Sequence, residues 1–145
     1  MSFQTEKIWL TPEGGMAVKL LNATSASSIK GYSVSASVDS YGGVRLTPIN
    51  VPDSVGVFYE SGIANATSAW IVVSGVADVY FVGAATMGNI ARTFVSADSG
   101  GVSGMALSEA APTSPFSTDK HFCEIGHVLQ TTTGAGLARC VLHFN

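Results

Sequence analysis

Residues 31–38 read Gly31-Tyr32-Ser33-Val34-Ser35-Ala36-Ser37-Val38. Tyr32, Val34, Ala36 and Val38 fall on one side of an extended chain, and Ser33, Ser35 and Ser37 on the other. That period of two predicts a half-buried antiparallel strand. Asp39-Ser-Tyr-Gly-Gly then supplies turn chemistry, and Val44-Arg-Leu-Thr resumes extended structure up to Pro48. The pair reads as a hairpin with a loop of about five residues.

The same signature recurs outward in both directions. Further strands are expected at Met16–Leu21, Val55–Tyr59, Trp70–Val73, Val76–Val82, Ile90–Val95, Phe122–Leu129 and Leu137–Phe144. Gly-Gly pairs, Ser-Gly steps and proline clusters separate them. The runs Ile71–Val73 and Val79–Val82 are continuously apolar, as in central strands covered on both faces. No stretch holds a helical apolar period. The fold class is therefore all-β, a compact antiparallel β-barrel or β-sandwich. Met105–Pro115 breaks the pattern and reads equally as one short helical turn or a surface loop. Asn22–Ser28 and Ala110–Lys120 read as loops.

Met1–Pro12 stands apart. Phe3, Ile8, Trp9 and Leu10 lie among polar neighbours with no sustained alternation. Two readings fit: an extended N-terminal arm that docks on a neighbour, or an edge strand whose Trp9 covers the domain's own core. We take residues 1–13 as the arm and 14–145 as a single β domain.

Composition narrows the function. The chain has 145 residues, 46% hydrophobic but only 12% charged, against about 25% charged in a typical soluble domain. Such a surface suits a protein packed against neighbours. The net charge is −3, and its seven Lys and Arg are scattered with no basic stripe. Nucleic-acid binding through phosphate neutralisation and a polybasic membrane tether are both disfavoured. The N-terminus lacks the basic and apolar regions of a signal peptide, so cytoplasmic synthesis and reduced cysteines are expected. The sequons at Asn22 and Asn65 are then chance matches.

No catalytic constellation emerges. Glu60, Asp78, Asp98, Asp119 and Glu124 form no paired-carboxylate motif. Gly101-Val-Ser-Gly lacks the spacing of a nucleophile elbow, and no P-loop lysine follows the glycines. The one cluster that tempts a metal reading is His121, Cys123, His127, Cys140 and His143. Residues 121, 123, 125 and 127 share a strand face. Cys140 and His143, however, are an odd number apart, and paired Cys-x-x-Cys spacing is missing. We expect neither a metal nor a cofactor, and no enzyme activity. The cysteines are expected to be core thiols.

Phe58-Tyr-Glu-Ser-Gly-Ile-Ala-Asn-Ala-Thr-Ser-Ala-Trp-Ile-Val-Val-Ser-Gly-Val-Ala-Asp-Val79, Gly88-Asn-Ile-Ala-Arg-Thr-Phe-Val-Ser96 and the ending from Lys120 to Asn145 resemble tailed-bacteriophage capsid decoration proteins. These are also called head stabilisation or cement proteins. The resemblance spans about Val55–Asn145. It implies a β-tulip-like domain on the outer surface of the expanded icosahedral head, made in the host bacterial cytoplasm. It implies the major capsid protein as partner, a homotrimer as the usual assembly, and stabilisation by bridging neighbouring capsid subunits. The capsid-contacting residues are expected in the arm: Phe3, Ile8, Trp9 and Leu10. The rival reading is a carbohydrate- or receptor-binding β-module of a head fibre or tail appendage, with Trp70, Tyr41 and Tyr59 as its aromatic platform. A third is a small metal enzyme built on His121, Cys123, His127 and His143.

Overall fold

A computed structural model describes residues 7–113 and 118–144. Its strands are β1 (Ile8–Leu10), β2 (Gly15–Asn22), β3 (Ser33–Ala36), β4 (Gly43–Leu46), β5 (Ser54–Phe58), β6 (Ser68–Phe81), β7 (Ile90–Arg92), β8 (Leu107–Glu109), β9 (Glu124–Val128) and β10 (Gly136–Leu142). One short helix, α1 (Thr118–Phe122), precedes β9.

The strands join one 10-stranded sheet in the order β1-β2-β4-β3-β5-β6-β10-β9-β7-β8, with β2 also bonded to β6. That extra pairing closes β2-β4-β3-β5-β6 into a ring. A second ring, β6-β10-β9-β7-β8, closes where Phe81 bridges Ala106, one residue before β8. The barrel-or-sandwich choice thus resolves into two small closed rings that share β6. Closure hides backbone edges that would otherwise recruit other chains. All strand pairs are antiparallel except β2–β4, which is parallel.

The shared strand serves both interiors, as its apolar runs predict. Ala69 and Ile71 pack with Val34, Val44 and Phe58 in the first ring. Val72, Ala77, Val79 and Phe81 pack with Ile125, Val128 and Cys140 in the second. The parity changes between Val72 and Ala77 because the register slips. Ala17 faces Val72 but Met16 faces Ser74, so Val73 is an extra residue. A bulge of this kind turns the strand's faces over. Gly75 permits it. Its φ is +78°, and a Cβ there would collide with the Gly14 carbonyl oxygen.

Several expectations change. Trp70–Val73 and Val76–Val82 are one strand, because Ser74-Gly75 makes a bulge rather than a turn. The 105–115 segment, read as a helical turn or loop, contains β8 instead, held by its pairing to β7. Phe122 ends α1 and is 48% exposed, so the strand there begins only at Glu124. The strand expected over Ile90–Val95 stops at Arg92. The serine face of β3 is not solvated: Ser33 and Ser35 are fully buried. Their hydroxyls bond Thr47 Oγ1 at 2.9 and 3.0 Å, and Ser35 also donates to Asp53 Oδ1 at 2.6 Å. This network is what lets hydroxyls occupy the interior, since an unpaired buried one costs about 1–3 kcal/mol.

Arg92 is 1% exposed and ends β7 inside a cage of acids. Its Nη1 and Nη2 donate to Asp98 Oδ2 and Oδ1 at 2.7 and 3.0 Å, its Nε to Glu109, and Nη1 also to the Thr93 carbonyl at 3.1 Å. Cys123 and Cys140 are buried, unbridged thiols. Asn22 is fully buried and donates its amide to the carbonyls of Ala26 and Ile63.

Candidate docking surface

Of the residues assigned to the arm, Phe3 lies outside the described residues. Ile8, Trp9 and Leu10 form β1, which pairs with β2 in the register Ile8↔Val18, Trp9↔Ala17, Leu10↔Met16. Residues 8–10 are therefore an edge strand of the domain itself. Among the described residues β1 has no ladder partner other than β2.

Strand alternation divides the three. Trp9 turns onto the body, edge-to-face with Tyr59 (centroids 4.9 Å apart, planes at 82°) and 5.6 Å from the Trp70 ring. Fully buried Ala17, opposite Trp9, leaves room for the indole. Ile8 and Leu10 point to the other face, 57% and 75% exposed, next to Met16 at 37%. The result is a small apolar patch at an open sheet edge, a feature that monomeric surfaces usually blunt with charge.

The Trp9 side forms a second feature. Trp9, Tyr59, Glu60 and Trp70 line an open cleft of about 370 Å³. Lys19 Nζ lies 5.0 Å from the Trp70 ring centroid, and Lys30 Nζ lies 5.5 Å from that of Tyr59. Both are cation–π distances. The Tyr59 hydroxyl donates to Glu13, and partial burial together with that carboxylate raises its pKa above the usual phenol value. Two of the three platform aromatics named from sequence, Tyr59 and Trp70, thus meet, with Trp9 as their unexpected companion. Tyr41 stands apart, fully exposed in the β3–β4 loop.

Two of the acids singled out from sequence, Asp78 and Asp98, are tied to cations. Asp78 binds Arg139 Nε at 2.8 Å and Lys30 Nζ at 3.5 Å. Asp98 is held ionised by Arg92, chiefly through its hydrogen bonds, with its pKa lowered to about 2. A carboxylate held ionised like Asp98 does not suit a general acid at neutral pH. In the histidine–cysteine cluster, Cys123 and Cys140 turn into the core, where burial raises both thiol pKa values, that of Cys140 to about 12. Glu124, named from sequence only among the carboxylates, joins His127 and His143 at one spot. Gly126 was the available signal, because a glycine inside a strand marks a bulge or a close backbone approach.

No family profile and no curated protein matches this sequence. Among solved structures, the chain is similar to the N base of head fiber gp8.5 in bacteriophage phi29. The TM-score is 0.60 at 14% identity, over 88% of this chain and 95% of that one. At that identity the likeness is one of fold.

Proposed function

We propose that this chain is a structural protein of a tailed-phage virion, carried on the outside of the head and docked on the major capsid protein through the β1 edge. The observation that carries this reading is the fold shared, across nearly the whole of both chains, with a phage head fiber base. The exposed Ile8, Leu10 and Met16 supply the apolar contact. A homotrimer would engage several capsid subunits at once, and linked weak contacts gain effective affinity without any new interaction. The role is binding, with no chemical step.

A head-fiber-like role is the second reading, favoured by the Trp9–Tyr59–Trp70 cleft. Half-exposed aromatic rings beside a carboxylate, Glu60, suit the apolar faces and hydroxyls of a sugar. The cleft and the Ile8/Leu10 patch lie on opposite faces of β1, so one protein has room for both contacts.

Co-sedimentation with expanded, empty heads tests the docking. The wild-type chain should pellet with heads, and a double Ile8→Asp/Leu10→Asp variant should keep its melting temperature yet lose at least about tenfold in affinity, as expected for central apolar anchors. Failure of the wild type to pellet at any salt concentration, with glycan binding by the isolated chain, would replace docking with the receptor-binding reading.

A further inference from the structure

The cluster at the β9–β10 junction has the chemistry of a metal site. Glu124 and His127 lie on β9, and His143 follows β10 directly. His127 pairs with Val141, and the His143 N–H donates to the Ile125 carbonyl at 3.0 Å, so the two histidines are diagonal neighbours across the strands. Their ring centroids are 4.9 Å apart. Glu124 is three residues from His127 and would face away in a regular strand. It does not, because β9 is bulged: Ala91 faces Gly126 while Arg92 faces Glu124, which leaves Ile125 as the extra residue. The bulge brings the carboxylate round to the histidine face. Gly126 permits the close packing, since a Cβ there would collide with the Val141 carbonyl oxygen.

One ligand atom from each of Glu124, His127 and His143 lies within 4.8 Å of the others. Ligand atoms around a tetrahedral zinc ion stand about 3.3 Å apart, given bonds of about 2.0–2.2 Å. Small rotamer shifts close that difference, and His143 Nε2 is already 3.9 Å from Glu124 Oε1. Two further observations point to a ligand. His143 Nε2 is shielded from solvent yet makes no hydrogen bond among the described residues. The other Glu124 oxygen is held by His121 Nδ1 at 3.1 Å, the kind of outer contact that orients a metal-binding carboxylate.

We propose that Glu124, His127 and His143 form a binding site for a divalent transition metal of the zinc class. Two imidazoles and one carboxylate match the borderline-soft preference of such ions and leave a coordination position open. The ion would clip β9 to the end of β10. This site differs from the sequence-level candidate: both cysteines are excluded, Glu124 enters, and His121 becomes a supporting residue.

The test is titration of the full-length, tag-free chain with Co²⁺, read by its visible absorption, followed by displacement with Zn²⁺. One equivalent should bind and raise the melting temperature. Since His127 is exposed, His127→Ala should fold normally, and Glu124→Gln keeps the side-chain shape; each should weaken binding at least about tenfold. Cobalt uptake that survives Glu124→Gln at full strength would reduce the site to an ordinary histidine pair and overturn the proposal. So would the absence of any uptake by the wild type at submillimolar metal.

Discussion

Removing the charge of Asp98 should expose how much the second ring depends on its buried arginine. Asp98→Asn keeps the side-chain shape but replaces one acceptor of the Arg92 fork with an N–H₂ group. Arg92 is 1% exposed and the Asp98 side chain 14%, so water compensates little. Hydrogen bonds from Arg92, helped by the Val95 backbone N–H, lower the Asp98 pKa from 3.8 to about 2. At about 1.4 kcal/mol per pKa unit, that depression corresponds to roughly 2–3 kcal/mol of native-state stability at neutral pH. Breaking a fully buried pair costs about 3–5 kcal/mol; Glu109 still bonds Arg92 Nε, which places the expected loss near about 2–3 kcal/mol. The sign of the pH effect follows. A depressed carboxylate pKa stabilises above the unfolded value of about 3.9, and that contribution is lost as pH falls through the folded value. Urea unfolding of both proteins at pH 7 should show the full deficit, shrinking below about 1 kcal/mol at about pH 2.5. Glu109 shares the same guanidinium, so the difference reports the Arg92 cage as a unit. A variant within about 0.5 kcal/mol of wild type at pH 7, or a deficit that does not shrink in acid, would refute the reasoning.

Trp9→Ala should lower the isolated chain's stability by about 2 kcal/mol, or roughly 4–8 °C in melting temperature, because the indole packs on Tyr59 and Trp70 of its own domain. An unchanged melting temperature with lost head binding would restore Trp9 to the role of an arm anchor. The two thiols should resist a disulfide exchange reagent in the native state and both react after denaturation, since Cys123 is 3% and Cys140 0% exposed. The raised thiol pKa values also mean that stability falls as pH rises above the unfolded thiol value of about 8.5. Fast labelling of the native protein at pH 8 would refute this.

Sequence legibility follows the physics of each element. β2, β3, β5 and β10 are long or regular enough for alternation to show. β1 and β8 have three residues each, too few to carry a period, and exist because a neighbouring strand completes them. In sequence β6 reads as two strands because Ser74-Gly75 has the same local chemistry whether it turns the chain or bulges it; only pairing with β2 decides. Ser33 and Ser35 looked solvated because a hydroxyl's partners, here Thr47 and Asp53, lie far along the chain. The Glu124–His127–His143 cluster was hidden for a similar reason. Its parity is wrong for an ideal strand, and a single bulge at Ile125 makes it right.

The low charge of the chain gains meaning from where the charges sit. Lys30, Arg45, Arg92, Lys120 and Arg139 are each engaged with a carboxylate of this chain, and Lys19 covers Trp70. Among the described residues, little positive charge is left over to recognise a partner. The docking we propose would then rest on apolar burial and backbone hydrogen bonds, and the molecule offers both at one place. The two rings seal most strand edges by closing on themselves. β1 lies outside the first ring, with one backbone edge bonded to β2 and Ile8 and Leu10 exposed above it. Its three residues are too few to template a long strand addition, so side-chain burial must dominate. A contact made that way is small for one copy and insensitive to salt, since screening acts on charges and not on apolar area. It becomes durable only through many copies or through oligomer symmetry. Head binding that persists at high salt but disappears for a chain held monomeric is the behaviour this arrangement requires.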